Sequence, residues 1–232
     1  MSRLRHIPRD YQILVVLTLA LLILPTFLDQ FLVSLAVLVL YWAFLGNAWN
    51  IMGGYAGQFS FGHAMFYGIG AYTSAVLLVD YAVSPWVGML VGAAVAGLFG
   101  GFVGFLLFRF GIRGHFFALG TFAVAEMVRL IATEADFIGG SIGLHIPLVR
   151  GDDWLRIQFE QTLVNYYYVI LGLFAVGMII TILITRRKLG YYFQAIREDE
   201  DAAAALGVDV LRYKVLAVAI NITSLRSKST SR

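Results

Sequence analysis

The sequence predicts an all-α, polytopic helical membrane protein with about six spans and an incomplete seventh. Three observations carry this. Of 232 residues, 60% are hydrophobic and only 13% charged, against about a quarter charged in an average soluble domain. The apolar residues form blocks long enough to cross a bilayer, which takes about 20 residues of helix. From Gln30 to Val79, fifty consecutive residues contain no Asp, Glu, Lys or Arg. No sizeable soluble domain fits between such blocks. The net charge of +3 does not imply nucleic acid, because the basic residues gather at the ends of the apolar blocks. The chain has no cysteine, which excludes disulfides, thiolate metal sites and a cysteine nucleophile.

The first span runs from about Ile13 to Leu28 and carries Pro25 near its end. The basic segment before it resembles a signal peptide, but no small-residue cleavage site follows, so it reads as a retained helix. The second span covers about Phe31 to Ile51 and the third Phe59 to Val79, with Met52 to Gln58 as a glycine-rich break between them. The fourth is Trp86 to Phe108, the fifth His115 to Ala132 and the sixth Tyr166 to Thr185. Positive residues orient these spans. Arg3, Arg5, Arg9, Arg109, Arg113, Arg186, Arg187, Lys188, Arg197, Arg212 and Lys214 all fall on one side if the spans alternate. That side is then cytoplasmic, and the N-terminus with it. The opposite side receives the Thr133 to Asn165 loop, where Arg150 and Arg156 are outnumbered by Glu134, Asp136, Asp152, Asp153 and Glu160.

Val215 to Ile222 reads as the start of a seventh span, but eight residues make only about 12 Å of helix at about 1.5 Å each. Three basic residues then follow in a polar tail, residues 223–232. The expectation is a partial permease domain over residues 1–222, truncated or frame-shifted relative to a longer one. A tail lying along the cytoplasmic surface is the plainer alternative.

Within the membrane, Leu45 to Ala75 is rich in Gly, Asn, Gln, Ser, His and Tyr. Hydrocarbon gives no reason for such residues, whereas close packing, a helix break or a path through the membrane does. Asn47, Asn50, Gln58, Ser60 and His63 either line a polar cavity or cross-link helices, and the residues alone leave both readings open. For His63, a hydrogen-bonded packing role is the plainer alternative to a proton relay. In span four, Gly88–Gly92, Gly97–Gly101 and Gly100–Gly104 repeat small-xxx-small spacing, which lets helix backbones approach closely. Glu126 and Arg129 share a helix face and are placed to pair. The chain has no Gly-rich phosphate loop ending in Lys-Ser/Thr, no HExxH and no nucleophile elbow. The expectation is a non-enzyme that does not itself hydrolyse ATP.

After span six comes a second informative segment, residues 186–214. Strong helix formers from Ile196 to Ala205 are followed by Gly207, a helix stop. Tyr192, Ile196, Ala203 and Leu206 make an apolar stripe, while Arg197 and the Glu198 to Asp201 run stay wet. A short projecting helix of this kind suits docking of a soluble partner. Its acidic run argues against a helix lying on anionic lipid.

Three segments together resemble one family. GGYAGQFSFGHAMFYGIGAY is similar to a segment shared by permease subunits of branched-chain amino acid ABC importers. RGHFFALGTFAVAEMVRL, followed by IGGSIGLHIP, resembles the second of their two paired permeases, the LivM type. GYYFQAIREDEDAAAALGVDVLRYKVLAVAI is similar to that family's cytoplasmic loop. The resemblance runs from about Leu45 to Ile220 and stops at Asn221. It implies an ABC importer permease fold in a bacterial inner membrane. It also implies a second permease subunit, two cytoplasmic ATPases and a periplasmic binding protein that delivers branched-chain amino acids. ATP would be bound by the partners, with no cofactor in this chain. Carried over by position, Arg197, Glu198, Ala204, Leu206 and Gly207 are the ATPase-coupling residues. Gly57, Gln58, Ser60, Gly62 and His63 match the pathway-associated signature. An ion-coupled secondary transporter using His63 or Glu126, and an inactive permease fragment, are the readings of other classes.

Overall fold

The computed structural model describes residues 9–147, 151–160 and 163–223. The expectations on Arg3, Arg5, Arg150 and the tail beyond Thr223 lie outside the described residues. Nine α-helices occur among the described residues: α1 (Arg9–Ile23), α2 (Gln30–Asn50), α3 (His63–Tyr81), α4 (Pro85–Arg109), α5 (His115–Glu134), α6 (Leu163–Thr185), α7 (Lys188–Glu198), α8 (Glu200–Ala205) and α9 (Val210–Thr223).

Four stretches are long and apolar enough to cross a membrane: Gln30–Tyr55, Pro85–Arg109, His115–Glu134 and Leu163–Thr185. They account for spans two, four, five and six. The expected spans one and three take a weaker form. The α1 helix has 15 residues before Pro25 turns the chain into a short 3₁₀ segment. The α3 helix has 19 residues and starts four residues later than expected, at His63, because residues 56–62 are irregular.

Helix limits follow local chemistry. Asp29 caps α2 by accepting a hydrogen bond from the Leu32 amide at 3.0 Å. Ser84 precedes Pro85 at the first turn of α4, where a missing N–H costs nothing. The expected break at Met52 is corrected: the chain stays helical through Tyr55, as a π-turn over Ile51–Tyr55. In this turn the Asn50 side-chain oxygen lies over Gly54, in the space a Cβ would take.

The helices sort into two groups. In one, α2 packs along α6, and α1 leans on α6. Val33, Leu40, Tyr167, Leu171 and Phe174 form its core. The fully buried Tyr167 donates from its hydroxyl to the Leu21 carbonyl at 2.7 Å, tying α6 to α1. Asn47 accepts from the Thr181 hydroxyl at 3.3 Å, so this asparagine cross-links α2 to α6. In the other group α4 is the centre, with α3 on one side and α9 on another. The glycines of α4 serve both contacts. A Cβ on Gly88 would lie 2.5 Å from Ser74 Oγ, and one on Gly92 would overlap the Gly70 carbonyl oxygen, both on α3. Gly101 and Gly104 instead meet Val215, Val218 and Ala219 of α9. The helix expected from Val215 is longer than expected: α9 has 14 residues and is packed against α4. It begins earlier because Asp209 caps it, accepting from the Arg212 amide at 3.0 Å.

The segment after α6 also differs from expectation. The single helix from Ile196 to Ala205 is divided at Asp199. The Asp199 carboxylate accepts from the Asp201 and Ala202 amides, both at 2.9 Å, and restarts the chain as α8. The expected stop at Gly207 holds. With φ of +86°, Gly207 donates to the Ala204 carbonyl, and Val208 donates to that of Ala203, which closes the helix end.

Candidate functional site

Two features have functional geometry: a polar junction at the basic end of the bundle, and a cavity between the two helix groups.

The junction is built from four separate parts of the chain. Residues 56–62 follow the π-turn, with Gly57 in a left-handed conformation at φ +66°. The segment lies against α7 so closely that a Cβ on Gly57 would be 2.5 Å from Arg197 Cγ and 3.3 Å from Arg197 Cα. Arg197 reaches back, donating from Nη1 to the Gly54 carbonyl at 2.8 Å. Gln58 is buried and donates from Nε2 to the Ala56 carbonyl at 3.3 Å and to Glu200 at 3.4 Å. Ser60, also buried, accepts from the Gly62 amide at 3.1 Å. Gly62 sits on α5, where a Cβ would be 2.8 Å from the Thr121 carbonyl oxygen. Thr121 accepts from the Phe61 amide at 3.2 Å.

Glu200 is the meeting point. It pairs with Lys214 of α9, and its other oxygen lies 3.5 Å from Arg113 Nε in the turn between α4 and α5. Arg113 also pairs with Asp201 at 3.3 Å. The Lys214 side chain is only 3% exposed, and its ammonium sits 5.1 Å from the centre of the Phe108 ring of α4. The expectation that the whole Glu198 to Asp201 run stays wet is corrected at Glu200, which turns inward to a buried lysine. A carboxylate at that position is the partner that makes burial of Lys214 tolerable.

The coupling candidates divide. Glu198, Ala204, Leu206 and Gly207 are exposed, with Leu206 at 86%. Arg197 spans the surface and the junction, bonding Glu198 as well as Gly54. The expected stripe is corrected at Leu206: Phe193, Ile196 and Ala203 are buried and Tyr192 packs at a tilt on Tyr213 of α9, ring centres 4.7 Å apart, whereas Leu206 is exposed.

The cavity has a volume of about 520 Å³. One wall comes from α2 and α6, with Tyr41, Phe44 and Ile170; the other from α3 and α4, with Tyr67, Ser74 and Ala93. Its lining is mostly aliphatic and aromatic. Tyr41 and Tyr67, both in its lining, touch edge to face with ring centres 6.0 Å apart. The loop after α5 contributes Ile146, Arg156, Ile157 and Gln158. That loop is held by reciprocal Asp153–Gln158 backbone bonds of 2.8 and 3.1 Å and by Trp86 Nε1 donating to the Trp154 carbonyl at 2.9 Å. Ile157 adopts φ +52°, a strained state for a β-branched residue.

Of the five pathway candidates, only His63 lines this cavity. Gly57, Gln58, Ser60 and Gly62 lie in the junction, so the structure separates residues that the sequence groups together. Sequence reasoning missed Glu200, Lys214 and Arg113 as one cluster. A lone lysine five residues after Asp209, at the head of an apolar helix, was the available signal. Glu126 and Arg129 form a bidentate pair, with Arg129 Nε 3.0 Å from both carboxylate oxygens, on an exposed face away from the cavity lining.

Comparison with known proteins gives a consistent result. The family model described as branched-chain amino acid transport system / permease component matches residues 31–221. The chain is 28% identical over 218 residues to the high-affinity branched-chain amino acid transport system permease protein LivM of Escherichia coli K12, covering 85% of this chain and 51% of that protein. It is 29% identical over 210 residues to the protein of the same name from Salmonella typhimurium LT2, covering 82% of this chain and 49% of the relative. The chain thus spans about half the length of the curated relatives it matches. No solved structure matches it.

Proposed function

Since the chain belongs to the branched-chain amino acid transport system permease family and is a multi-pass membrane protein, we propose that it lines part of a path for branched-chain amino acids. It sits in a bacterial inner membrane with its N-terminus and the α7–α8 segment in the cytoplasm. It pairs with a second permease subunit. Two cytoplasmic ATPases drive it, and a periplasmic binding protein supplies the substrate on the side of the 151–160 loop.

The observation that carries this reading is the cavity between two separately packed helix groups, with the α7–α8 segment attached to one end of the bundle. A cavity lined by apolar groups, with Tyr41, His63, Tyr67, Arg156 and Gln158 interspersed, suits a small zwitterion with a branched apolar side chain. The chain has no nucleotide motif, so the energy comes from a partner. Binding of ATP in that partner moves α7–α8, and the two walls change their separation. The exposed Glu198, Ala204, Leu206 and Gly207, with Arg197, form the surface on which the ATPase docks.

Uptake of radiolabelled leucine, isoleucine and valine by proteoliposomes carrying this permease, its partner permease and the ATPases tests the proposal. Uptake should require ATP and binding protein and persist when the proton gradient is collapsed; uncoupler-sensitive uptake at constant ATP would defeat it. Arg197→Glu removes a charge-assisted bond of about 1.5–3 kcal/mol and sets a carboxylate against the Gly54 carbonyl. Gly207→Pro forbids φ +86° and removes the N–H that closes α8. Both should reduce ATPase co-purification and uptake while membrane insertion persists. Unchanged co-purification would sink the docking assignment. A third variant, Ala93→Phe, fills the cavity from α4 and should bring uptake to background with the ATPases still bound.

A further inference from the structure

The exposed docking residues explain where a partner pushes, but not how the push reaches the cavity wall. The Glu200 carboxylate is a shared partner of three elements. Gln58 reaches it from the irregular segment that feeds into α3, Arg113 from the turn that joins α4 to α5, and Lys214 from α9. Lys214 is buried with the Phe108 ring of α4 against it. Were α8 to move without α9, the lysine would be left as an unpaired buried charge, the arrangement a folded protein resists most strongly. Moving both together keeps the pair intact.

The consequence runs through the glycines. The α9 helix is seated on Gly101 and Gly104 of α4, and α4 is seated on α3 through Gly88 and Gly92. At Gly92 the α3 backbone itself is the neighbour, and at Gly101 and Gly104 the short side chains of Val215, Val218 and Ala219 fill the contact, so the packing leaves little slack to absorb a displacement. The α3 and α4 helices are one wall of the cavity.

Building on the proposed transport function, we propose that Glu200 is a positioning residue, with Lys214 its buried counter-charge. Together they make the ATPase-facing segment and the α3–α4–α9 wall move as one body. Neither touches the cavity. Their part is to convert a displacement of α8 into a displacement of the wall.

The test measures substrate taken up per ATP hydrolysed, together with the amount of assembled complex, in proteoliposomes of the whole importer. Glu200→Gln and Lys214→Met should assemble and hydrolyse ATP, while uptake per ATP falls by about tenfold, within the usual range for a coupling between two sites. Lys214→Arg, which keeps the charge, should restore most of the ratio. A merely structural role would lower the amount of complex and leave the ratio unchanged, and that result overturns the proposal. Where a variant does not assemble, hydrogen exchange on the solubilised chain is the second measurement. Amides of residues 199–218 and of Gln58 should exchange faster in Glu200→Gln than in the wild type, and equal rates would also overturn it. Absence of ATP-driven uptake by the wild type would count against the transport reading itself. A normal wild type with unchanged ratios in the variants would count against Glu200 alone.

Discussion

Gly92→Leu is expected to abolish accumulation of folded protein in the membrane. On α4, a Cβ at this position would overlap the Gly70 carbonyl oxygen and lie 3.2 Å from its carbon and Cα. Backbone cannot rotate away as a side chain can. Overpacking a well-filled site costs about 1–3 kcal/mol, occasionally more, and here the added atoms prise α3 from α4 along their shared face. Gly92→Ala should lower the melting temperature in detergent, and leucine should eliminate the folded fraction. Gly68 is the control. It lies in the same α3–α4 group, yet nothing approaches its ideal Cβ within 4 Å. Gly68→Ala should therefore be neutral or stabilising by up to about 1 kcal/mol, from helix propensity alone. Equal melting temperatures for Gly92→Leu and Gly68→Ala would remove the claim that glycine at 92 is needed for contact.

Gly57→Val should leave insertion intact but eliminate uptake. Two effects add. A non-glycine residue at φ +66° costs about 1–2 kcal/mol, and more for a β-branched one. The new Cβ also meets Arg197 Cγ at 2.5 Å and its Cα at 3.3 Å, pushing α7 off the segment that leads into α3. Limited proteolysis of residues 186–209 should become faster, reporting the released segment. A double-mutant cycle with Arg197→Ala separates the two causes. Removing Arg197 Cγ should recover part of the loss in Gly57→Val through a favourable coupling term, while the conformational cost remains. No coupling between the two positions would mean that the approach of α7 to residue 57 does not matter.

Much of the fold was legible because local chemistry writes it. Span four was expected at Trp86 to Phe108 and is Pro85–Arg109, since Ser84–Pro85 and Arg109 mark its ends. Gly207 was readable as a stop because αL geometry favours glycine. The division of α7 from α8 at Asp199 was also locally encoded. It was overlooked because four consecutive acidic residues read as a solvated run, and the capping role of the first acid in the Asp199–Glu200–Asp201 stretch was hidden among them. The π-turn was harder: Gly53–Gly54 signals weak helix, and a wide turn is one of several outcomes that two glycines permit.

The candidate site was less legible. Gly57, Gln58, Ser60, Gly62 and His63 are close in the chain, yet the irregular segment packs the first four against α5, α7 and Glu200, and only His63, at the start of α3, lines the cavity. Leu206 was placed on an apolar stripe by helical spacing; it lies one residue past the end of α8 and is 86% exposed, whereas Ala203 within α8 is buried.

By itself, the sequence determined that this protein is a helical, multi-pass member of a membrane permease family. Its segments of unbroken apolarity have no other stable environment, and its caps and glycine stops act within a few residues. Only the tertiary structure decided which polar groups share a partner. Glu200, Lys214, Arg113 and Gln58 are far apart in the chain, and burying a charge is tolerable only where a distant segment delivers its opposite. No local pattern contains that information, because the pairing depends on how α4, α8 and α9 pack around one another.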